Sequence, residues 1–179
     1  MEASPRPEPG GRGTRRIRAL VEAHLGSRDV ARIIYGAIIG LALVLALEAH
    51  PPSAGATAGA LLGSALAVGM AELYSEVVAT EARTRRAIGP AGIGALAGEA
   101  LAVVFGAGFP AIFFVLAAVG ALELGTAFEL SKWTGLGLIS CYGFLAARLA
   151  GAGLLRALAH AASVGVLGGL LIALKALLH

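Results

Sequence analysis

The sequence has little of three things: cysteine, charge and aromatic side chains. Cys141 is the one cysteine among 179 residues, which excludes an intrachain disulfide and a cysteine-based metal site. Charged residues make up 14% of the chain, against roughly 25% in soluble domains. Aromatic residues make up 6%, too few for the aromatic girdles of a membrane β-barrel. These shortages favour an all-α integral membrane protein.

What the sequence does have is apolar residues, at 58%, with a mean hydropathy of +0.83. Its basic residues are segregated, because arginines concentrate before residue 33 while long later stretches carry almost no charge. A pI near 9.5 therefore indicates basic segments on one side of a bilayer, and not a nucleic-acid-binding surface. The lipid bilayer is the first partner that the composition predicts.

The first 27 residues differ from the rest of the chain. Residues 1–13 are rich in proline, glycine and arginine, which predicts a disordered tail without the apolar core of a signal peptide. Residues 14–27 predict an interfacial amphipathic helix, because apolar and arginine positions alternate there at helical spacing. Residues 28–179 then form the predicted transmembrane domain.

Apolar runs long enough to cross a bilayer predict five spans in this domain. They cover residues 30–47, residues 55–79, residues 88–122, a stretch from Lys132-Trp133 to near Arg148, and residues 154–178. The third run would reach about 50 Å as one helix, against about 30 Å of hydrocarbon. We interpret it as one long helix that Pro110 bends near Gly106; a re-entrant pair of shorter helices is the alternative.

The arginines also predict which way the chain is inserted. They lie before the first span, after the second and after the fourth, where Arg148 and Arg156 are found. With five spans, all three places fall on one side, so the N-terminus is predicted to be cytoplasmic and the C-terminus outside. The compact loops favour a prokaryotic inner membrane over an organelle.

Small residues recur every four positions on most of the predicted spans. Such stripes let another helix backbone approach closely, either within the chain or across a homodimer interface. The stripes consist of Gly36 and Gly40; Gly55, Gly59, Gly63 and Ala67; Gly94 and Gly98; and Ala161, Gly165, Gly169 and Ala173.

Three carboxylates lie at membrane depth, where an ionisable group is costly and is a functional candidate by default. Glu72 and Glu76 are four residues apart on one helix face, and Glu99 reaches a similar depth on the next, antiparallel span. Such a group could hold a divalent metal ion, relay protons or exchange one for the other. Met70 adds a softer sulfur ligand to the predicted metal site.

The alternative is structural: Glu76 reaches the interface, and Glu99 pairs with Arg148 or His160. A second set of charges is expected to be solvated in loops or, alternatively, to line an outer mouth; it consists of Glu48, His50, Glu123 and Glu129. No nucleophile–base pair, phosphate-binding loop or zinc-protease motif is present, so we expect neither an enzyme nor a resident cofactor.

Several short motifs resemble one family of membrane transporters. They are Glu22 with His24, residues 28–30, residues 35–41, residues 69–75, Gly106 with Pro110, and residues 156–178. Together they resemble the vacuolar iron transporter family, dimeric five-span proteins that export Fe²⁺ or Mn²⁺ from the cytosol in exchange for protons. The resemblance implies that Glu72 and Met70 match the transport site; Glu76 and Glu99 are supported by depth alone.

Two departures from that family bear on function. Ile39 stands where the family has an aspartate of the metal pathway, and a short basic loop from Glu81 to Arg86 replaces the Glu-rich cytoplasmic insert. The sequence therefore leaves two hypotheses. One is a dimeric, proton-coupled transporter of a divalent cation, and the other is a non-transporting membrane scaffold or partner subunit with the same fold.

Overall fold

A computed structural model describes residues 27–178 of the chain. The predicted tail, residues 1–13, and all but the last residue of the predicted interfacial helix, residues 14–27, lie outside this range. The described residues form six α-helices and no strand, which confirms the all-α class. The helices are α1 (Ser27–Glu48), α2 (Ala54–Thr84), α3 (Pro90–Gly108), α4 (Ala111–Ala118), α5 (Leu124–Leu149) and α6 (Leu154–Leu178).

Local signals set the helix ends. Ser53 follows two prolines and caps α2, its hydroxyl accepting a hydrogen bond from the backbone N–H of Ala56 at 3.3 Å. Arg85 ends α2 in the left-handed conformation, with φ 53°. Pro90 stands at the start of α3, where its missing N–H has no helical partner to lose.

The long third apolar run is one bent helix in two segments, α3 and α4. The bend lies at Phe109 and Pro110, slightly later than Gly106, and both residues keep right-handed helical backbone angles. Both segments pack in turn along α2. Gly108 of α3 faces Ala65, and the α4 residue Phe114 belongs to the same buried cluster as Leu61. A re-entrant pair would reverse direction here, whereas α4 continues along α2.

Helix α1 is central in the bundle. It packs most extensively against α3 and α5, and it also contacts α2 and α6. The α1 residue Leu41 is fully buried and clusters with Ile139 of α5. This central helix supplies Arg32 and Glu48 to the two ionic groups described below.

Glycines let α1 and α3 touch backbone to backbone. A Cβ built on Gly36 would lie 2.3 Å from the carbonyl oxygen of Val103, and one on Gly106 would lie 2.3 Å from that of Ile33. Gly40 faces Ala107 in the same way, at 2.6 Å. The stripe on the first predicted span is therefore used for packing within the chain.

Other small-residue stripes are open in the described part of the chain. A Cβ on Gly55, Gly59 or Gly63 of α2 would meet no atom within 4 Å, and the same holds for Gly94 and Gly98 of α3. These stripes do not pack within the protomer as described.

Three of the described helices are long and apolar enough to cross a membrane: Asp29–Glu48, Ala54–Thr84 and Pro90–Gly108. With 31 residues, α2 is about 46 Å long, which exceeds the hydrocarbon thickness of about 30 Å. One or both of its ends would therefore project beyond the hydrocarbon of a bilayer.

Candidate functional site

The three predicted carboxylates meet at one buried arginine. Arg32 of α1 lies with its Nε 3.2 Å from Glu72 Oε1, its Nη2 3.2 Å from Glu76 Oε1 and its Nη1 2.6 Å from Glu99 Oε2. Arg32, Glu72, Glu76 and Glu99 are called the Arg32 cluster below. It joins three helices, because Arg32 comes from α1, the first two carboxylates from α2 and the third from α3.

Helix periodicity explains why these side chains meet. Glu72 and Glu76 share a face of α2 with Gly69, whose missing Cβ leaves room for the Val104 side chain of α3. This close approach of α2 and α3 holds the α2 carboxylates beside the helix that carries Glu99. On α1, Arg32 precedes Gly36 by four residues, so it lies on the face that packs against α3.

Burial is unequal within the Arg32 cluster. The Arg32 side chain is 10% exposed, whereas the three carboxylate side chains are 25–32% exposed. At the periphery, Arg83 lies 3.6 Å from Glu76 Oε2 and is 66% exposed. One buried guanidinium therefore faces three carboxylates, which leaves two formal negative charges that Arg83 offsets only from the surface.

The contacts of Arg32 also differ in quality. Its Nε and Nη2 donate hydrogen bonds to Glu72 and Glu76. The closest contact, Nη1 to Glu99 Oε2, joins two buried atoms that have no hydrogen-bond partner in the described part of the chain. It is an ion pair, and no carboxylate receives the bidentate fork that arginine favours.

The structure does not bring Met70, the fourth predicted metal ligand, into this cluster. Met70 is 72% exposed, and neighbouring Tyr74 is 73% exposed. The Ser75 hydroxyl donates to the backbone carbonyl of Glu72 at 2.9 Å, not to its carboxylate. Glu72, Glu76 and Glu99 thus remain the predicted site residues that the fold brings together, without Met70.

The structural alternative named the wrong partners for Glu99. Its carboxylate contacts Arg32, whereas Arg148 donates to the backbone carbonyl of Ala152 and the His160 side chain is exposed. The same alternative placed Glu76 at the interface, and its contact with exposed Arg83 fits an edge position.

Within residues 27–178, no group of three or more His, Cys, Asp or Glu side chains is arranged to hold a metal ion. The reason lies in the guanidinium. Metal ligands must approach one point to within about 2.0–2.6 Å, whereas these carboxylate oxygens each face a different nitrogen of Arg32. As described, the carboxylates surround an organic cation.

Sequence reasoning missed Arg32 as a site residue, because it was counted with the basic residues that precede the first span. One signal was available. Arg32, Gly36 and Gly40 recur every four residues, so Arg32 lies on the small-residue face of α1 and should be buried against another helix.

A second ionic group lies toward the other end of α1. Lys132 Nζ of α5 lies 2.7 Å from Glu48 Oε1 of α1 and 2.6 Å from Glu129 Oε1 of α5. These three residues are called the Lys132 cluster below. Lys132 is 15% exposed and Glu48 is 23% exposed, so the expectation of solvated loop charges is wrong for Glu48. Glu129 lies within α5, which begins at Leu124, and not in a loop.

The two acidic residues of the Lys132 cluster should contribute unequally to stability. Glu48 links two helices and is mostly buried, whereas Glu129 is 58% exposed and pairs with Lys132 within one helix. We expect Glu48→Gln to lower the free energy of unfolding by about 1 kcal/mol more than Glu129→Gln, which should be near neutral. Chemical denaturation in detergent micelles measures both; equal losses would contradict the helix-linking role of Glu48.

Comparison with known proteins gives no family for this chain: no family model, no curated protein and no solved structure matches it.

Proposed function

We propose that this chain is a membrane transporter of a divalent cation, with Fe²⁺ or Mn²⁺ as the preferred substrate. The observation that supports this most is the convergence of Glu72, Glu76 and Glu99, from two neighbouring helices that are each apolar enough to span a membrane. Three carboxylates beside one another in such surroundings cost free energy unless cations accompany them.

The chemistry of the group suits this role. Carboxylate oxygens are the ligands of hard and borderline divalent cations, and each can also take a proton. The two surplus negative charges of the Arg32 cluster equal the charge of one divalent ion. Two protons carry the same charge as one divalent ion, so exchanging two protons bound to the carboxylates for one metal ion would leave the local charge unchanged, which supports a proton-coupled antiporter.

The proposed arrangement in the membrane extends the three candidate spans to five. Helices α5 and α6 have 26 and 25 residues, enough to cross a bilayer, and α5 packs directly on central α1. The proposal includes a cytoplasmic N-terminus, an external C-terminus and a prokaryotic inner membrane. It also includes a homodimer, for which the open stripe of Gly55, Gly59 and Gly63 offers a close-packing surface.

Flux through proteoliposomes tests the transport proposal. Glu72→Gln should lower the initial rate of Mn²⁺ uptake about tenfold or more, because a charged hydrogen-bonding or ligand group is worth about 1.5–3 kcal/mol. Glu123→Gln is the matched control, because that glutamate is exposed at the start of α5 and its side chain makes no capping hydrogen bond. Equal rates in the two variants would overturn the assignment of Glu72.

The second candidate function is a non-transporting membrane scaffold or partner subunit. Two observations favour it: Arg32 lies between the three carboxylates, and hydrophobic Ile39 stands on α1 where the family that the motifs resemble has an aspartate. A scaffold would show no Mn²⁺ flux in the wild-type protein, and Glu72→Gln would then alter stability alone.

A further inference from the structure

The guanidinium of Arg32 lies between the three carboxylates to which the proposed function assigns the metal ion. Its Nε, Nη2 and Nη1 face Glu72, Glu76 and Glu99 in turn. We propose that Arg32 is a tethered cation that keeps the divalent-cation site closed, so that a metal ion binds only when the guanidinium withdraws. This inference rests on the proposed function and concerns the regulation of the same carboxylates.

The contacts of Arg32 are those expected of an exchangeable cation and not those of a fixed, bidentate ion pair. Arginine binds a carboxylate most firmly through two parallel hydrogen bonds, but Arg32 divides its three nitrogens among Glu72, Glu76 and Glu99, with one contact to each. The attraction between opposite charges therefore contributes more to holding Arg32 than the paired hydrogen bonds that a guanidinium can form. A divalent ion supplies twice that charge at one point and can draw all three carboxylates inward.

Asp29 offers a second carboxylate with which the Arg32 guanidinium can pair. Asp29 lies one turn before Arg32 on α1, close enough along the helix surface to pair with it. Asp29 borders a groove of about 550 Å³ between α1, α3 and α5, whose lining includes Gly98 and Tyr142. Rotation of the flexible Arg32 stem from the carboxylates toward Asp29 would vacate the cation site while keeping the guanidinium paired.

The test compares Mn²⁺ binding by two arginine variants of the full-length protein in detergent. Arg32→Gln empties the centre of the cluster, whereas Arg83→Gln removes the same charge from its exposed edge. We expect the Mn²⁺ Kd of Arg32→Gln to fall about tenfold or more below wild type, because a positive charge within about 4 Å is removed. For Arg83→Gln the change should stay within about threefold, since that charge is largely screened by solvent.

Further variants locate the bound ion. Glu72→Gln and Glu99→Gln, each added to Arg32→Gln, should abolish the gain in Mn²⁺ affinity. If Arg32→Gln does not fold, Arg32→Lys replaces it: the shorter lysine offers one nitrogen to three carboxylates, and its Mn²⁺ Kd should fall below wild type. A Kd unchanged from wild type, or a gain matched by Arg83→Gln, overturns the inference.

The result is separable from the transport proposal. Tight Mn²⁺ binding by Arg32→Gln without Mn²⁺ flux through wild-type proteoliposomes supports the tethered cation and overturns transport. Flux through the wild type together with unchanged binding in Arg32→Gln supports transport and overturns the tethered cation. The Asp29→Asn variant should weaken Mn²⁺ binding in the wild-type background, and no effect there would overturn the withdrawal toward Asp29.

Discussion

Replacing Arg32 with glutamine should lower the free energy of unfolding by about 3 kcal/mol. Removing one member of a buried ionic group leaves the others as uncompensated charges, at a cost of about 3–5 kcal/mol. The lower end applies here because the carboxylate side chains are 25–32% exposed. Denaturation of the purified protein in detergent micelles, in the absence of divalent ions, gives the measurement.

Two comparisons show whether the loss comes from the carboxylates. Arg83→Gln should cost about 0–1 kcal/mol, since Arg83 is 66% exposed. Adding Glu72→Gln and Glu99→Gln to Arg32→Gln should recover much of the stability, because neutral amides no longer repel one another. If the triple variant is less stable than Arg32→Gln alone, charge repulsion is not the cause of the loss.

Replacing Gly106 with alanine should destabilise the protein by about 2–3 kcal/mol. The new methyl group would lie 2.3 Å from the carbonyl oxygen of Ile33 and 2.8 Å from the backbone nitrogen of Ala37, so α1 and α3 must move apart. Backbone cannot yield as a flexible side chain does, which puts the cost at the upper end for overpacked sites. The separation should also weaken the Arg32–Glu99 contact, because these residues lie on the same two helices.

Gly94→Ala is the matched control on the same helix. Its Cβ would meet no atom within 4 Å in the described structure, so the gain in helix propensity should make this variant neutral or slightly more stable. Thermal unfolding of both variants measures the difference. A loss for Gly94→Ala as large as that for Gly106→Ala would mean that a contact outside the protomer, and not the α1–α3 contact, decides the result.

The positions of most helices followed from the sequence. The runs at residues 30–47 and 154–178 became α1 and α6 with small changes at their ends. The run at residues 55–79 became α2, but this helix continues to Thr84, so the predicted loop from Glu81 to Arg86 is helical over most of its length. Helix α5 begins earlier than expected. Glu129 and Lys132 were expected to precede this helix. They lie inside it because Lys132 pairs with both Glu129 and Glu48, which offsets the charges.

The sequence predicted the three glutamates of the candidate site but not Arg32. Glu72, Glu76 and Glu99 could be grouped by depth, because depth follows from counting residues along a helix. The position of Arg32 could not be reached in the same way: it lies 40 residues before Glu72 in the chain, so the pairing depends on how α1 packs. The positive-inside rule predicts on which side of the membrane arginines lie, but it does not predict which residues they pair with.

The central helix is anchored at both ends, and to different neighbours. Arg32 ties one end of α1 to α2 and α3, and Glu48, about 24 Å farther along, ties the opposite end to α5. Translation of α1 along its axis, or rotation about it, would break the ion pairs of the Arg32 cluster and of the Lys132 cluster together. If the bundle opens at one end of α1, we therefore expect the ion pairs at the opposite end to stay formed, so that α1 tilts about that end.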